Sequence, residues 1–435
     1  MSIAVRREQL RRLRAAVVVN EKAILKALES DLHKAPYEAY MSEVGIVLSE
    51  LRFTLRHLRS WSRPVRVRTP VTIFPAASFI YPEPCGVVLI ISPWNYPFAL
   101  TINPLIGALA AGNCCILKAS EFVPHTSAVL GRLIADNFAA DHVTMVAADA
   151  EASQALLEER FDKIFFTGSA AVGRAVMAAA AVNLTPVTLE LGGKSPCIVD
   201  HGARLEDAAR KITSGKFLNA GQTCIAPDYL LVHRSVEKEL VSRIQDTIQR
   251  FYGKDPQQSG DYARIVNRRH FDRLDQLMAG GRIVFGGDRD RSALYIAPTI
   301  IDEVGWDDAI MREEIFGPLL PIMTFDRLDE AAEKVKTLPK PLALYFFSNN
   351  RRNQQAVIGN ISFGGGCIND TMLHYASPHL PFGGVGQSGI GSYRGKAGFD
   401  AFSHRKSVVK RSPRIDFPLR YPPYGSLAFL RKLLR

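Results

Sequence analysis

Cysteine is scarce and scattered in this chain. The six present, Cys85, Cys114, Cys115, Cys197, Cys224 and Cys367, are spread over 435 residues. No CxxC pair or Cys/His group at zinc spacing occurs among them, which excludes a disulfide scaffold and leaves no expected metal site. Unpaired thiols fit a reducing compartment, so a cytoplasmic location is expected. Long apolar runs are missing too. None reaches the ~18 residues of a membrane-spanning helix and no signal-peptide core opens the chain, so a soluble protein is expected. Acidic residues are in deficit: 43 Asp and Glu against 54 Lys and Arg leave a net charge of +11. Part of the excess sits at the ends, in Arg6, Arg7, Arg11, Arg12 and Arg14 and in the residues from Arg405 to Arg435. Such charge bears on anionic ligands and surfaces rather than on fold. No nucleic-acid motif accompanies it, so nucleic acid is not an expected partner. Glu8, Glu21 and Glu29 come too early for a transit peptide. What remains is 47% hydrophobic and 22% charged, enough core for two or three domains.

Residues 1–60 predict helices, with Leu10, Leu13, Val17 and Val18, then Val44, Val47, Leu48, Leu51, Leu55 and Leu58, at helical spacing. Pro64 ends the pattern. Two short proline-bounded runs, 71–75 and 78–82, predict strands of an edge or arm. From Gly86 the chain alternates near-continuous apolar runs (87–91, 114–117, 142–146, 163–166) with helical stretches (99–111, 126–139, 151–159, 171–181). Runs buried on both faces and joined by helices predict a parallel sheet in a doubly wound α/β domain. A second set follows at 187–190, 195–199, 229–232, 283–285 and 320–323, with helices at 205–217, 236–251 and 329–337. After Lys406 the chain is basic, then Pro-rich over 414–424, which predicts an extended tail.

A doubly wound sheet holds its ligand at the carboxyl ends of its strands, so residues just beyond the runs matter most. Asn95, between Pro93 and Pro97, offers amide donors from a stiff turn, though a turn asparagine needs no further role. Lys118 and Glu121 end the second run, where a carboxylate could accept from ribose hydroxyls; a solvated loop explains them equally. Thr167, Gly168 and Ser169 open a helix whose N-terminus suits a phosphate, or is simply capped. Glu190 ends an apolar run before Gly192 and Gly193, where desolvation would raise its pKa and suit it to general-base work; a salt-bridged acid is the alternative. Glu313 and Glu314 precede Phe316 and a turn. Cys224 lies in a polar, glycine-containing stretch, Asn219 to Pro227, between a helix pattern and a strand. A single cysteine is by default a small buried hydrophobe. As a nucleophile it must be a thiolate, a minor species near neutrality at a free pKa of ~8.5, so other groups have to support it.

Taken together, PWNYP around Asn95, KASE at 118–121, FTGS at 166–169, LELGGKSP at 189–196, GQTC at 221–224 and EEIFGP at 313–318 resemble the aldehyde dehydrogenase superfamily. They stand in family order across nearly the whole chain. The short start, Arg68-Thr69-Pro70, Asn369-Asp370 before His374, and PFGGVGQSG at 381–389 followed by Arg420-Tyr421-Pro422-Pro423 are similar to the class-three and fatty aldehyde dehydrogenases, a branch that also resembles coniferyl aldehyde dehydrogenases.

The resemblance implies two doubly wound α/β domains with a modified Rossmann unit and a β bridging arm. It divides the chain into a cofactor domain (1–70 and 85–190), a catalytic domain (191–399), and an arm with tail (71–84 and 400–435). It implies that Cys224 attacks an aldehyde, that the Asn95 amide and the Cys224 N–H hold the oxyanion, and that Glu190 activates the water that releases the acid. Trp94, Lys118, Glu121, Thr167, Gly168, Ser169, Leu191, Gly192, Glu314 and Phe316 would then line the path of NAD. NADP is the alternative: Glu121 repels a 2′-phosphate and Lys118 attracts it. A homodimer is implied by the arm.

Tyr96, Phe98, Phe217 and Tyr375 lean towards a hydrophobic aldehyde. Two rival functions are kept. A coenzyme A-acylating enzyme would have no need of Glu190, and a non-catalytic protein on this fold would be expected to lose Cys224, Glu190 or Asn95. The apolar and basic alternation over 426–435 adds a candidate peripheral membrane contact.

Overall fold

The computed structural model describes residues 1–146, 150–416 and 420–434. Helices Ile3–Val19 and Glu21–Leu32 meet at Asn20, which closes the first and opens the second. Helix Gly45–Trp61 continues from a single π turn, Tyr40–Val44, and stops before Pro64. Leu10, Leu13, Val17, Val44, Val47, Leu51 and Leu58 form the inner stripe, whereas Val18 faces out.

The expected apolar runs become one six-stranded sheet. Its order is Gly389–Ile390, Val187–Glu190, Lys163–Thr167, Val87–Ile91, Cys114–Lys118 and Val143–Val146, all parallel except the first. The chain builds outward from Val87–Ile91 in one direction and then returns to its other side, so the topological switch lies between Ile91 and Thr167. Register sets Ile91 beside Lys118 and Thr167 beside Glu190, on one edge of the sheet.

A second, seven-stranded sheet has the order Arg282–Phe285, Thr299–Asp302, Leu319–Phe325, Tyr229–His233, Pro196–Val199, Ala343–Phe347 and Gly365–Ile368. Only its first pair is antiparallel. A five-residue link, 191–195, joins Val187–Glu190 to Pro196–Val199, so the carboxyl edge of the first sheet meets the amino edge of the second. The central strands Lys163–Thr167, Pro196–Val199 and Ala343–Phe347 are buried throughout, as unbroken apolar runs require.

The arm is a three-stranded antiparallel sheet of Val65–Val67, Ala76–Pro84 and Ser403–Arg411. Three expectations are corrected here. Residues 71–75 do not form a strand: Val71–Ile73 is a 3₁₀ turn between Pro70 and Pro75, and its side chains face solvent rather than a sheet. The strand of the tail runs on to Arg411, because nine residues pair with Ala76–Pro84. Val187–Glu190, expected with the second set of strands, pairs with Lys163–Thr167 in the first sheet; Val65–Val67 and Gly389–Ile390 are each captured by the nearest open strand edge. Residues 417–419 of the expected tail lie outside the described residues.

Candidate active site

The stretch around Cys224 is held in an unusual backbone. Asn219, Ala220 and Gly221 have φ of 52°, 51° and 75°, three left-handed residues in a row after helix Leu205–Phe217. Only glycine fits the third place, since a Cβ on Gly221 would stand 2.2 Å from the Gly317 carbonyl oxygen. The turn is pinned from several sides. Asn219 N–H donates to Glu38 Oε1 at 2.9 Å, its Nδ2 donates to the Asn95 carbonyl at 2.9 Å, and the Tyr345 hydroxyl donates to the Ile225 carbonyl at 2.5 Å. Cys224, half-buried, thereby faces a cavity of about 730 Å³.

Glu190, Leu191 and Thr167 line the same cavity, together with Tyr96, Leu100 and Phe382. Glu190 is 2% exposed and neither carboxyl oxygen has a hydrogen-bond partner among the described residues. Burial alone pushes its pKa well above the carboxylate range. Cys224 is pushed up by burial first, then by the negative charges of Glu314 and Glu190; backbone N–H groups of Cys224 and Ile225 oppose the rise.

Asn95 stands behind the cavity wall, next to the lining residue Tyr96, and is buried. One Nδ2 hydrogen goes to the Gln222 carbonyl at 3.0 Å, two residues before Cys224, which leaves the second to give. Its placement depends on residues that no motif flagged. Lys34 Nζ donates to the Asn95 carbonyl at 2.8 Å and to Glu43 at 2.6 Å, both side chains being fully buried. Glu43 also takes the N–H groups of Phe98 and Ala99 at 2.9 and 3.0 Å, which caps helix Ala99–Ala111. Tyr96 reaches across to Thr223, with 2.6 Å between their hydroxyls. Lys34 and Glu43 gave no sequence signal because they sit about fifty to sixty residues away, Lys34 in the link after helix Glu21–Leu32 and Glu43 on the π turn, where both read as ordinary surface.

A second group runs along the edge of the first sheet. Gly168 N–H donates to the Glu190 carbonyl at 3.0 Å, and a Cβ on Gly168 would strike the Phe166 ring at 2.5 Å. Ser169 is exposed and caps helix Ala170–Val182, its Oγ accepting from Val172 N–H at 3.4 Å. Lys118 pairs with the exposed Glu121 at 3.3 Å.

On the opposite side, a Cβ on Gly192 would lie 1.9 Å from Glu314 Oε2, so the carboxylate is packed flat against that glycine. Glu314 accepts from Gly193 N–H and its pKa is pushed up to about 8, by burial first and then by the Asp228 charge. Asp228, bound to Lys194 at 2.5 Å, takes the Ile315 N–H at 2.9 Å and so positions this loop. Phe316 holds φ of 51° and meets the Trp94 ring edge-on at 5.3 Å. The sequence-predicted residues therefore form two clusters. Cys224, Glu190, Leu191 and Thr167 share the cavity, while Lys118, Glu121, Gly168 and Ser169 at the edge of the first sheet, and Gly192, Glu314, Phe316 and Trp94, lie outside its lining.

Of the other cysteines, Cys115 and Cys197 are buried within strands, whereas Cys85, Cys114 and Cys367 are half-buried rather than fully so.

The aldehyde dehydrogenase family profile matches residues 1–408. The chain belongs to the aldehyde dehydrogenase family. It is an oxidoreductase acting on aldehydes. It is 48% identical over 436 residues to the 4,4'-diaponeurosporen-aldehyde dehydrogenase of Staphylococcus aureus, covering 100% of this chain and 95% of that one. It is 46% identical over 420 residues to aldehyde dehydrogenase family 3 member A2 of Pongo abelii, covering 96% and 87%. Identity to the mouse enzyme named "Aldehyde dehydrogenase, dimeric NADP-preferring" is 46% over 418 residues, covering 96% and 92%.

A solved structure described as the substrate-bound state of Staphylococcus aureus AldH superposes with a TM-score of 0.98 at 48% identity, covering 100% of this chain and 95% of that one. An NAD-dependent aldehyde dehydrogenase from Sinorhizobium meliloti gives 0.87 at 28% identity, covering 96% and 84%. Members of this aldehyde dehydrogenase family use NAD or NADP. The residues present fit such a dinucleotide: the N-terminus of helix Ala170–Val182 offers backbone N–H groups to a pyrophosphate, and Glu121 and Glu314 offer carboxyls to ribose hydroxyls.

Proposed function

We propose that this aldehyde dehydrogenase oxidises a hydrophobic aldehyde, medium- or long-chain aliphatic or aromatic, to its carboxylic acid, with Cys224 as nucleophile. One observation carries the proposal: Cys224 and Glu190 open onto the same largely apolar cavity, large enough for such a chain. Cys224, as thiolate, adds to the carbonyl carbon, and the oxygen takes up the negative charge. The free Asn95 Nδ2 hydrogen and the Cys224 N–H donate to that oxygen. A donor of this kind is worth about 3–4 kcal/mol in the transition state. A bound dinucleotide would supply the hydride acceptor for oxidation of the thiohemiacetal to the thioester. Glu190, ionised, then takes a proton from water; the hydroxide attacks the thioester carbon and the Cys224 sulfur leaves.

Lys118 and Glu121 would hold the adenosine ribose, and Thr167, Gly168 and Ser169 the pyrophosphate. Trp94, Leu191, Gly192, Glu314 and Phe316 would hold the nicotinamide side. NAD is favoured over NADP because Glu121 already neutralises Lys118, so a 2′-phosphate would meet no unshared cation there. We assign residues 1–70 and 85–190 to the cofactor domain, 191–399 to the catalytic domain, and the arm to pairing of two copies in the cytoplasm. The test is NADH absorbance with NAD and a medium-chain or aromatic aldehyde. Cys224→Ala should abolish turnover, and an intact rate would sink the mechanism. Turnover that requires coenzyme A would favour the acylating alternative.

A further inference from the structure

One buried acid takes no part in the proposed reaction yet bonds to the turn that carries its nucleophile. Glu38 lies on the single helical turn Pro36–Ala39 and is 8% exposed. Its Oε1 accepts the Asn219 N–H at 2.9 Å. Asn219 is the first of the three left-handed residues that precede Cys224, a conformation that residues with a side chain resist. Such a turn persists only where its surroundings hold it. The same residue ties in the expected oxyanion donor. Asn219 Nδ2 donates to the Asn95 carbonyl at 2.9 Å and to the Gln222 carbonyl at 3.2 Å, and Asn95 Nδ2 donates to that same Gln222 carbonyl. A backbone N–H asks only for a neutral acceptor, which a glutamine would supply without desolvating a charge. A carboxylate at this place carries a cost that a merely structural acceptor would avoid.

We infer that Glu38 is a positioning residue for the aldehyde oxidation: its carboxylate, through the Asn219 N–H, holds the turn that sets Cys224 and the Asn95 amide against the substrate carbonyl. The inference rests on Cys224 being the nucleophile. The groups that face Glu38 from neighbouring elements decide its charge. Burial pushes its pKa up to about 7, the Lys34 ammonium and the Asn219 N–H pull it down, and the Glu43 and Asp261 carboxylates push it up again. Tyr96, Tyr252 and Tyr262 also face it, and burial keeps their phenols protonated. Above neutrality the Asn219 bond is therefore charge-assisted; below it the acceptor is a neutral carboxyl and the bond slackens. The charge has a second consequence, of opposite sign. The folded pKa lies above the unfolded carboxyl value of ~4.3, so ionisation costs stability as pH rises through this window. A residue that only supported the fold would not behave so.

The test uses the full-length protein with NAD and a medium-chain aldehyde, and reads the NADH burst by stopped flow from pH 6 to 9. Glu38→Gln keeps an acceptor of the same shape and removes the titration. The ratio of the parent burst rate to that of Glu38→Gln should rise from about 1 at pH 6 to about fivefold above pH 8, the gap between a neutral and a charge-assisted hydrogen bond. Titration of Cys224 is common to both proteins and cancels in the ratio. Glu314, raised to about 8, does not imitate the rise, since its charge pushes Cys224 up and slows the burst. The unfolding midpoint of Glu38→Gln at pH 8 should stand at or above the parent's, which separates a slower burst from a weakened fold. A ratio that stays flat with pH, or a Glu38→Gln burst as fast as the parent's at pH 8, overturns the positioning role. If Glu38→Gln does not fold, the parent decides alone: its burst must rise through an inflection near pH 7, and a profile without one overturns the role. A burst that survives Cys224→Ala, or no burst with any aldehyde, would instead sink the reading of Cys224 on which this one rests.

Discussion

Glu190 and Cys224 lose solvent in the same cavity, and the loss raises the proton affinity of both. For the two roles this has one sign: the base form of each gains population as pH rises. The two contributions separate in time, since Cys224 governs the first turnover and Glu190 the release of acid. We expect both the burst of NADH and the steady state to speed up with increasing pH. In Glu190→Gln the burst should survive while the steady-state rate falls by about 10²–10⁴-fold and loses its rising limb. Removing the Glu190 charge also removes one of the groups that push Cys224 up, so the burst limb should shift to lower pH. A steady-state limb left unchanged in Glu190→Gln would remove Glu190 from the base role. Stopped-flow absorbance at several pH values reads both phases.

The elements that aim these residues were unequally legible. Strands of the first sheet announced themselves because both faces are buried, so their apolar runs are unbroken. Gly365–Ile368 did not, since two glycines carry no side-chain pattern, and Ala343–Phe347 was passed over although its five residues are all apolar. The carboxyl-edge rule located Asn95, Lys118, Gly168 and Glu190. It did not foresee that Cys224 and Glu314 would come from the amino edge of the second sheet, which follows from the short 191–195 link.

Least legible was the support beneath the site. The Lys34–Glu43 pair ties the link after helix Glu21–Leu32 to the π turn Tyr40–Val44, and no local pattern connects either to Asn95. Lys34→Met should therefore strand a buried carboxylate and cost about 3–5 kcal/mol, with a matching loss of kcat; thermal unfolding and steady-state rates would show it, and unchanged stability would refute the strut. Gly221→Ala tests the turn itself. Its Cβ would have to displace the Gly317 carbonyl, so both the Cys224 and Glu314 loops should shift and kcat/KM should fall by about 10²-fold.

Charge and shape act together only at the scale of the whole molecule. Among the described residues no helix is long and apolar enough to cross a membrane. The chain nevertheless carries +11, with Arg405, Lys406, Lys410, Arg411, Arg414 and Arg420 leading into helix Leu427–Leu434. Leu427 and Leu430 of that helix are exposed, at 60% and 48%. An amphipathic turn preceded by a basic run can lie on an anionic surface, each cation adding about 1 kcal/mol near the headgroups. That attraction is coulombic and so fades as salt shortens the Debye length. We therefore expect the full chain to sediment with vesicles rich in phosphatidylserine at low salt and to be released at high salt. Removal of 426–435 should reduce sedimentation about tenfold while leaving oxidation of a small soluble aldehyde in place. If the shortened chain sediments as well as the parent, the tail has no membrane role and its exposed leucines belong against a partner copy. A change in molar mass on truncation, measured by light scattering, would then identify that contact.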